Sequence, residues 1–209
     1  MVVNMAKSTR PRGPYAGTAE RRDTVIKTAW EVFALQGFRG GSLREIAKRV
    51  NLSQAGVLHH FGSKEGLLLE VLNYREELNS PSPNTVHGIG ILDHLRTVVT
   101  TNIETPGAVR LYVTVSAEAT DPDHPAHEFF VERYKKTVDV IASQLVLARM
   151  DGKLSPDLDP RMAAEEMIAF LDGIQLQWLL NPAFDMLAAY DRYVANLQAR
   201  YQTSVDSQI

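Results

Sequence analysis

The side chains best placed to do chemistry in this chain lie between Ser42 and Leu68, in the run SLREIAKRVNLSQAGVLHHFGSKEGLL. Gln54, Ala55, His59 and His60 fall on one short helical segment, with Arg44 and Lys64 beside it. These are short or polar groups suited to hydrogen bonding. A glutamine amide can pair bidentately with adenine, a small apolar group can meet a thymine methyl, and histidine can bond to phosphate or base. Ser42 and Arg44 at the start of one helix, and Lys64 at the start of another, suit phosphate oxygens, because helix N-termini present free N–H groups and partial positive charge. The implied chemistry is recognition of double-stranded DNA.

The elements that must position these groups can be read from the same run. Ser42 and Glu45 form an S-x-x-E pattern, which predicts a capping box at the start of a first helix. Ile46, Ala47 and Val50 follow as an apolar stripe at helical spacing. Asn51 falls where the chain must turn, and asparagine tolerates the left-handed backbone better than most residues. Ser53 caps a second helix from Gln54, with Val57 and Phe61 closing the core beneath it. Two short helices joined by a tight turn, the second polar on its outer face, predict a helix-turn-helix that lays its second helix in a major groove.

This stretch resembles the DNA-binding domain of the TetR family of bacterial transcriptional regulators. The likeness rests on the Gly37-Phe38 turn, Ile46-Ala47, the Ser53 cap and the HHFGSKEGLL run. It implies a phosphate contact for Lys64, a homodimer, and a C-terminal domain with a pocket for a small molecule that changes DNA affinity. A repressor released by its effector is the function it suggests. One position departs: Leu58 stands where many members carry a phosphate-binding tyrosine, so that role is not carried over, and His59 is the neighbour able to take it.

The whole chain is consistent with this. At 209 residues, 44% hydrophobic and 22% charged, it suits one or two small globular domains. It has no cysteine, which excludes disulfides, thiolate metal sites and a cysteine nucleophile. No secretory signal or membrane-spanning run is read, since the most apolar segment, 167–180, is broken by Asp172, Gln175 and Gln177; a cytoplasmic location is expected. The net charge of −3 conceals an asymmetry. Residues 1–75 hold 12 Lys and Arg against 6 Asp and Glu, and the remainder holds 10 against 19. The basic part contains the helix-turn-helix, as attraction to phosphate requires.

Residues 1–17 read as a flexible basic arm able to enter a minor groove, although a tail without contacts has the same composition. The DNA-binding domain is read as 18–64, and 65–209 as the ligand-binding and dimerisation domain. Helices are predicted from Ala19 to Gln36, with Trp30 on the core stripe and Gly37 as C-cap, and then over 64–78, 86–104, 108–119, 126–150, 160–180 and 184–202. No segment alternates as a strand would, so the fold class is all-α, with about nine helices. Within 160–180 one face carries Ala163, Met167, Phe170, Ile174 and Trp178, and a second carries Ile168, Leu171 and Leu179. Two apolar faces predict burial on both sides, one against a partner, giving a homodimer through the last two helices.

Pocket residues are less legible. Tyr112, Phe129, Tyr134, Met167, Phe170, Gln175 and Trp178 are candidates to surround a cavity, although for each the ordinary core reading outweighs it, because aromatic and Met stripes usually fill cores. The segment DPDHPAHE brings Asp123, His124 and His127 close together, but Pro125 interrupts them and further ligands are lacking, so no metal is assigned. No Gly-rich phosphate loop or nucleophile elbow suggests an enzyme, and no cofactor is expected beyond an unidentified effector. A DNA-binding architectural protein that needs no ligand is the alternative.

Overall fold

A computed structural model describes residues 14–81 and 86–201, and among these it contains nine helices and no strand. The order is α1 (Pro14–Gly40), α2 (Leu43–Arg49), α3 (Gln54–Phe61), α4 (Lys64–Asn79), α5 (Gly90–Glu104), α6 (Pro106–Glu118), α7 (His127–Met150), α8 (Pro160–Leu180) and α9 (Met186–Tyr201). The expected arm at 1–17 overlaps α1 from residue 14 onward, and the rest of it lies outside the described residues. The α8 boundaries follow from Asp159, whose carboxylate accepts from the N–H groups of Arg161 and Met162, and from Pro160 at the first helical position.

Two cores organise these helices. The first joins α1 to α4 through Val25, Ala29, Phe33, Ile46, Val57 and Leu67. It continues into Leu111, Tyr112 and Val115 of α6 and Phe130 of α7. Burying a side chain such as Phe33 or Leu67, both fully covered, contributes about 1.5–3 kcal/mol. The second core lies among α5, α7, α8 and α9, around Ile91, Ile141, Leu145, Met167 and Tyr190. There Phe170 stacks on Tyr193 at 4.3 Å, and the Tyr190 hydroxyl donates to the Leu92 carbonyl at 2.7 Å.

Sequence expectation and structure differ at three places. Gly37 does not cap α1 but kinks it, at φ 73° and ψ 167°, and the chain runs on to Gly40. The capping box does not form: the Ser42 hydroxyl makes no cap bond, and the Glu45 carboxylate, instead of reaching back to the Ser42 N–H, accepts from Gln36 at 2.8 Å and pairs with Arg49. Those partners hold the Glu45 carboxyl below its usual range, the Gln36 bond first and Arg49 second. The second apolar face of α8 also differs. Ile168 and Leu171 are buried by the chain's own helices, and the large apolar groups left outward are Met162, Leu176 and Leu180, with exposures of 51%, 47% and 79%.

The junction between α3 and α4 is tight. A side chain on Gly66 would place its Cβ 2.2 Å from the Phe61 carbonyl oxygen, a backbone atom that cannot step aside. Gly66→Ala should therefore destabilise the protein by about 1–3 kcal/mol, read as a lower midpoint in urea unfolding. A midpoint unchanged from the parent protein would show that this junction has slack.

Candidate nucleic-acid interface

The recognition surface is built from α3 outward. Val57 is completely covered and Phe61 nearly so, which fixes the underside of the helix against the first core. Asn51 adopts φ 56° at the turn, the left-handed geometry expected there. Ser53 then caps α3, its Oγ accepting from the Gly56 N–H at 3.0 Å. Ser63 caps α4 in the same way through Gly66, a cap that the S-K-E-G spelling could have revealed.

The structure distributes the expected contact residues unevenly. Ser42, Arg44, Gln54, Ala55 and His59 are exposed. Ser53 is exposed too, but its hydroxyl is engaged in the cap. His60 is half-buried, edge-on to both His59 and Phe61. Lys64 is also half-buried: its ammonium lies 4.7 Å from the Phe38 ring and donates to the Arg39 carbonyl at 3.3 Å. It thus ties the end of α1 to the start of α4, while an ammonium retains further donors. Lys48, not singled out from sequence, is exposed beside Arg44, and neither has an ion pair among the described residues. Arg49 differs, being held by Glu45 and Glu31.

A cavity of about 510 Å³ opens between α4, α5, α7 and α8. Of the expected pocket residues, Phe129 and Gln175 line it. Tyr112 and Tyr134 lie behind its wall, their hydroxyls donating to Glu76 at 2.8 Å and Asp172 at 2.6 Å. Burial first, and these carboxylates with it, push both phenols upward, so they remain protonated donors. Met167, Phe170 and Trp178 belong to the second core and do not line the cavity. The wall instead carries Arg75, Asn102 and Arg133, which sequence reasoning missed. The available signal was a polar group on an apolar stripe: Arg75 continues Leu68, Val71 and Leu72, and Asn102 continues Leu95 and Val99.

No group of three or more His, Asp and Glu side chains converges for a metal among the described residues. His124 Nδ1 accepts from the Ala126 N–H at 3.1 Å, and His127 Nδ1 donates to the Ala119 carbonyl at 2.8 Å, so both rings serve the local turn. No helix among these residues is long and apolar enough to cross a membrane.

Residues 25–71 match the family model described as bacterial regulatory proteins, tetR family, and residues 91–199, more than half of the chain, match that of the BetI-type transcriptional repressor C-terminal domain. The chain belongs to the TetR family. It is 24% identical to the transcriptional regulator UidR of Escherichia coli K12 over 155 residues, covering 73% of this chain and 79% of UidR. It is 24% identical to the transcriptional regulator TtgR of Pseudomonas putida over 84% of this chain and 88% of TtgR. With the repressor KstR2 of Rhodococcus jostii it shares 27% over 61% of this chain and 57% of that one. Its fold superimposes with a TM-score of 0.74 on a TetR regulator from Chloroflexus aurantiacus, at 19% identity, covering 90% of this chain and all of that one. A transcriptional regulator from Saccharomonospora viridis in complex with choline gives 0.72 at 22% identity, covering 89% and 100%. As a TetR-family protein the chain is a helix-turn-helix DNA-binding transcriptional regulator, from a family of regulators rather than enzymes.

The two serines at helix starts play different parts, and stability separates them. Ser53→Ala removes a cap bond and should cost about 1 kcal/mol in urea unfolding. Ser42→Ala removes a hydroxyl that has no hydrogen-bond partner among the described residues and should stay within about 0.5 kcal/mol of the parent. Equal losses from both would contradict the assignment of caps.

Proposed function

We propose that this chain acts as a homodimeric repressor whose paired α3 helices read a two-half-site operator, and which a small molecule entering the α4–α8 cavity releases from DNA. The observation that carries this reading is the division of α4. Its N-terminal half packs beneath the helix-turn-helix, while Arg75, Glu76 and Asn79 near its other end line the cavity. A ligand that moves this helix moves the base of α3 with it. Release requires the ligand to bind the non-operator arrangement better, and α3 helices in a dimer must sit about 34–36 Å apart to enter successive grooves. The formed cavity favours this reading over a ligand-independent architectural role. Repression is supported by the BetI-type repressor match and by KstR2, itself named a repressor.

On the DNA face, Gln54 reads a base edge, Ala55 and His59 extend that contact along α3, and His60 reaches phosphate from the helix flank. Ser42, whose hydroxyl makes no cap bond, and Arg44 anchor phosphates together with the remaining donors of Lys64, and Ser53 shapes the start of the helix. The dimer face is the outward stripe of α8. Met162, Ala169, Leu176 and Leu180 share it with Gly173, where a Cβ would meet nothing within 4 Å. Against it a second copy would build a four-helix bundle from α8 and α9 of each protomer.

Fluorescence anisotropy on DNA flanking the chain's own gene, with scrambled DNA as control and at several salt concentrations, tests this function. Salt-sensitive binding that prefers the native fragment is expected, and absence of binding even at low salt would contradict it. Arg44→Ala and Lys64→Ala should weaken binding to both fragments and lower the salt slope by about one each. Gln54→Ala should relax preference at one base pair by about 1–3 kcal/mol and leave the slope alone. Leu176→Glu should yield a monomer by analytical ultracentrifugation and abolish tight operator binding; a dimer that persists would move the interface elsewhere.

A further inference from the structure

The cavity wall carries a buried guanidinium that forms no ion pair among the described residues. Arg75 is only 5% exposed, yet among the described residues its one hydrogen bond runs from Nη2 to the Asn102 Oδ1 at 3.2 Å. No carboxylate lies within ion-pair distance of it among those residues. Glu76, its sequence neighbour, is occupied by the Tyr112 hydroxyl and by Arg133 Nε at 3.1 Å. One face of the Arg75 guanidinium lies 4.0 Å from the Tyr112 ring. A buried guanidinium cannot shed its proton, and burying it without a counter-charge is costly. A second donor nearby is also left over: Arg133 pairs with Glu76 through Nε, but its buried Nη1 makes no hydrogen bond among the described residues. Asn102 is itself buried, and its amide nitrogen makes no hydrogen bond among the described residues.

We propose that this cavity takes an amphipathic organic carboxylate, its carboxylate held by Arg75 and the Asn102 amide and its apolar body lying on Leu95, Val98, Val99, Phe129 and Ile168. The arrangement supplies two donors of suitable kind side by side, and guanidinium–carboxylate pairing is bidentate and strong. The volume lies within the range of small-molecule sites. A quaternary ammonium finds less here. The Tyr112 ring, a surface on which such a cation would stack, is covered by Arg75 at 4.0 Å and Arg133 at 4.8 Å. Asp172 and Glu76 already accept from tyrosine hydroxyls. Glu128 and Glu132 are exposed lining residues beside Lys136, where solvent screens them. The proposal names the chemical class of the effector and so rests on the release reading above, but its binding test does not need DNA.

Isothermal titration of the full-length dimer, without DNA, would compare octanoate and dodecanoate with the matching alcohols and alkyl-trimethylammonium salts. At least one carboxylate should bind about tenfold or more tighter than its alcohol. Arg75→Met should remove that preference while alcohol binding stays unchanged, and its Tm without ligand should not fall, because an unpaired buried charge has gone. Should that variant fail to fold, Asn102→Asp serves: it places a carboxylate beside Arg75, so it should raise the Tm and lose the ligand carboxylate preference. Alcohols or ammonium salts binding as tightly as the carboxylates, no carboxylate binding at about 1 mM, or a preference that survives both variants would each overturn the proposal. Release of DNA is read separately by anisotropy. Arg75-dependent carboxylate binding without release would uphold the site and refute the release mechanism. Release by a neutral or cationic compound, with carboxylates inert, would do the reverse.

Discussion

α4 belongs to two parts of the molecule at once, and the rest of the structure is arranged around that constraint. Its first turns bury Leu67, Leu68, Val71 and Leu72 in the core that supports the helix-turn-helix. One turn further on, the same helix face presents Arg75 to the cavity. A helix transmits displacement along its length with little loss, because its backbone hydrogen bonds are made internally. A ligand held at Arg75, as proposed, would therefore act on the floor of α3. The α1–α6 contact closes the loop between the halves: a Cβ on Gly107 would sit 2.5 Å from the Ala34 carbonyl, so these two backbones are packed directly together.

The DNA-facing half separates support from contact. Apolar residues at Val57 and Phe61 fix the height and rotation of α3, and Ser53 fixes where it begins. Arg44, Gln54 and Ala55, left outward, make no side-chain hydrogen bond or ion pair among the described residues, as the proposed reading surface requires. Lys64 is the exception, since it both fastens α1 to α4 and faces the region where phosphates would lie. Glu45 shows how tertiary contacts override a local motif. The capping box was spelled correctly, yet Gln36 and Arg49 offer that carboxylate better partners than a single backbone N–H.

The helices were legible because their signals are local. Pro106, Asp159-Pro160 and Asn51 act within a few residues, and apolar stripes such as Phe130 to Ala148 repeat at helical spacing. The helix-turn-helix was legible for the same reason. The cavity was not, because a stripe shows that a side chain points inward and not whether anything fills the space beyond it. Met167 and Phe170 point inward and find packed neighbours, whereas Phe129 and Gln175 border open volume. Which apolar groups of α8 stay outward was not legible for a related reason: the chain's own helices cover Ile168 and Leu171, and that depends on where α6 and α7 lie. The polar interruptions at Arg75 and Asn102 were visible in the stripes, and their meaning emerged only once burial and missing partners were known.

Coupling between cavity and recognition helix is the central claim, and linkage makes it testable without any effector, because a site that influences DNA binding must be influenced by DNA in return. Amide hydrogen exchange would be compared for the free protein and for the protein bound to a DNA site selected from a random pool. The account predicts altered exchange in α3 and also in the C-terminal half of α4 and the cavity-facing turns of α5 and α7. Changes confined to α2, α3 and the first turn of α4, with the cavity walls exchanging as before, would contradict it.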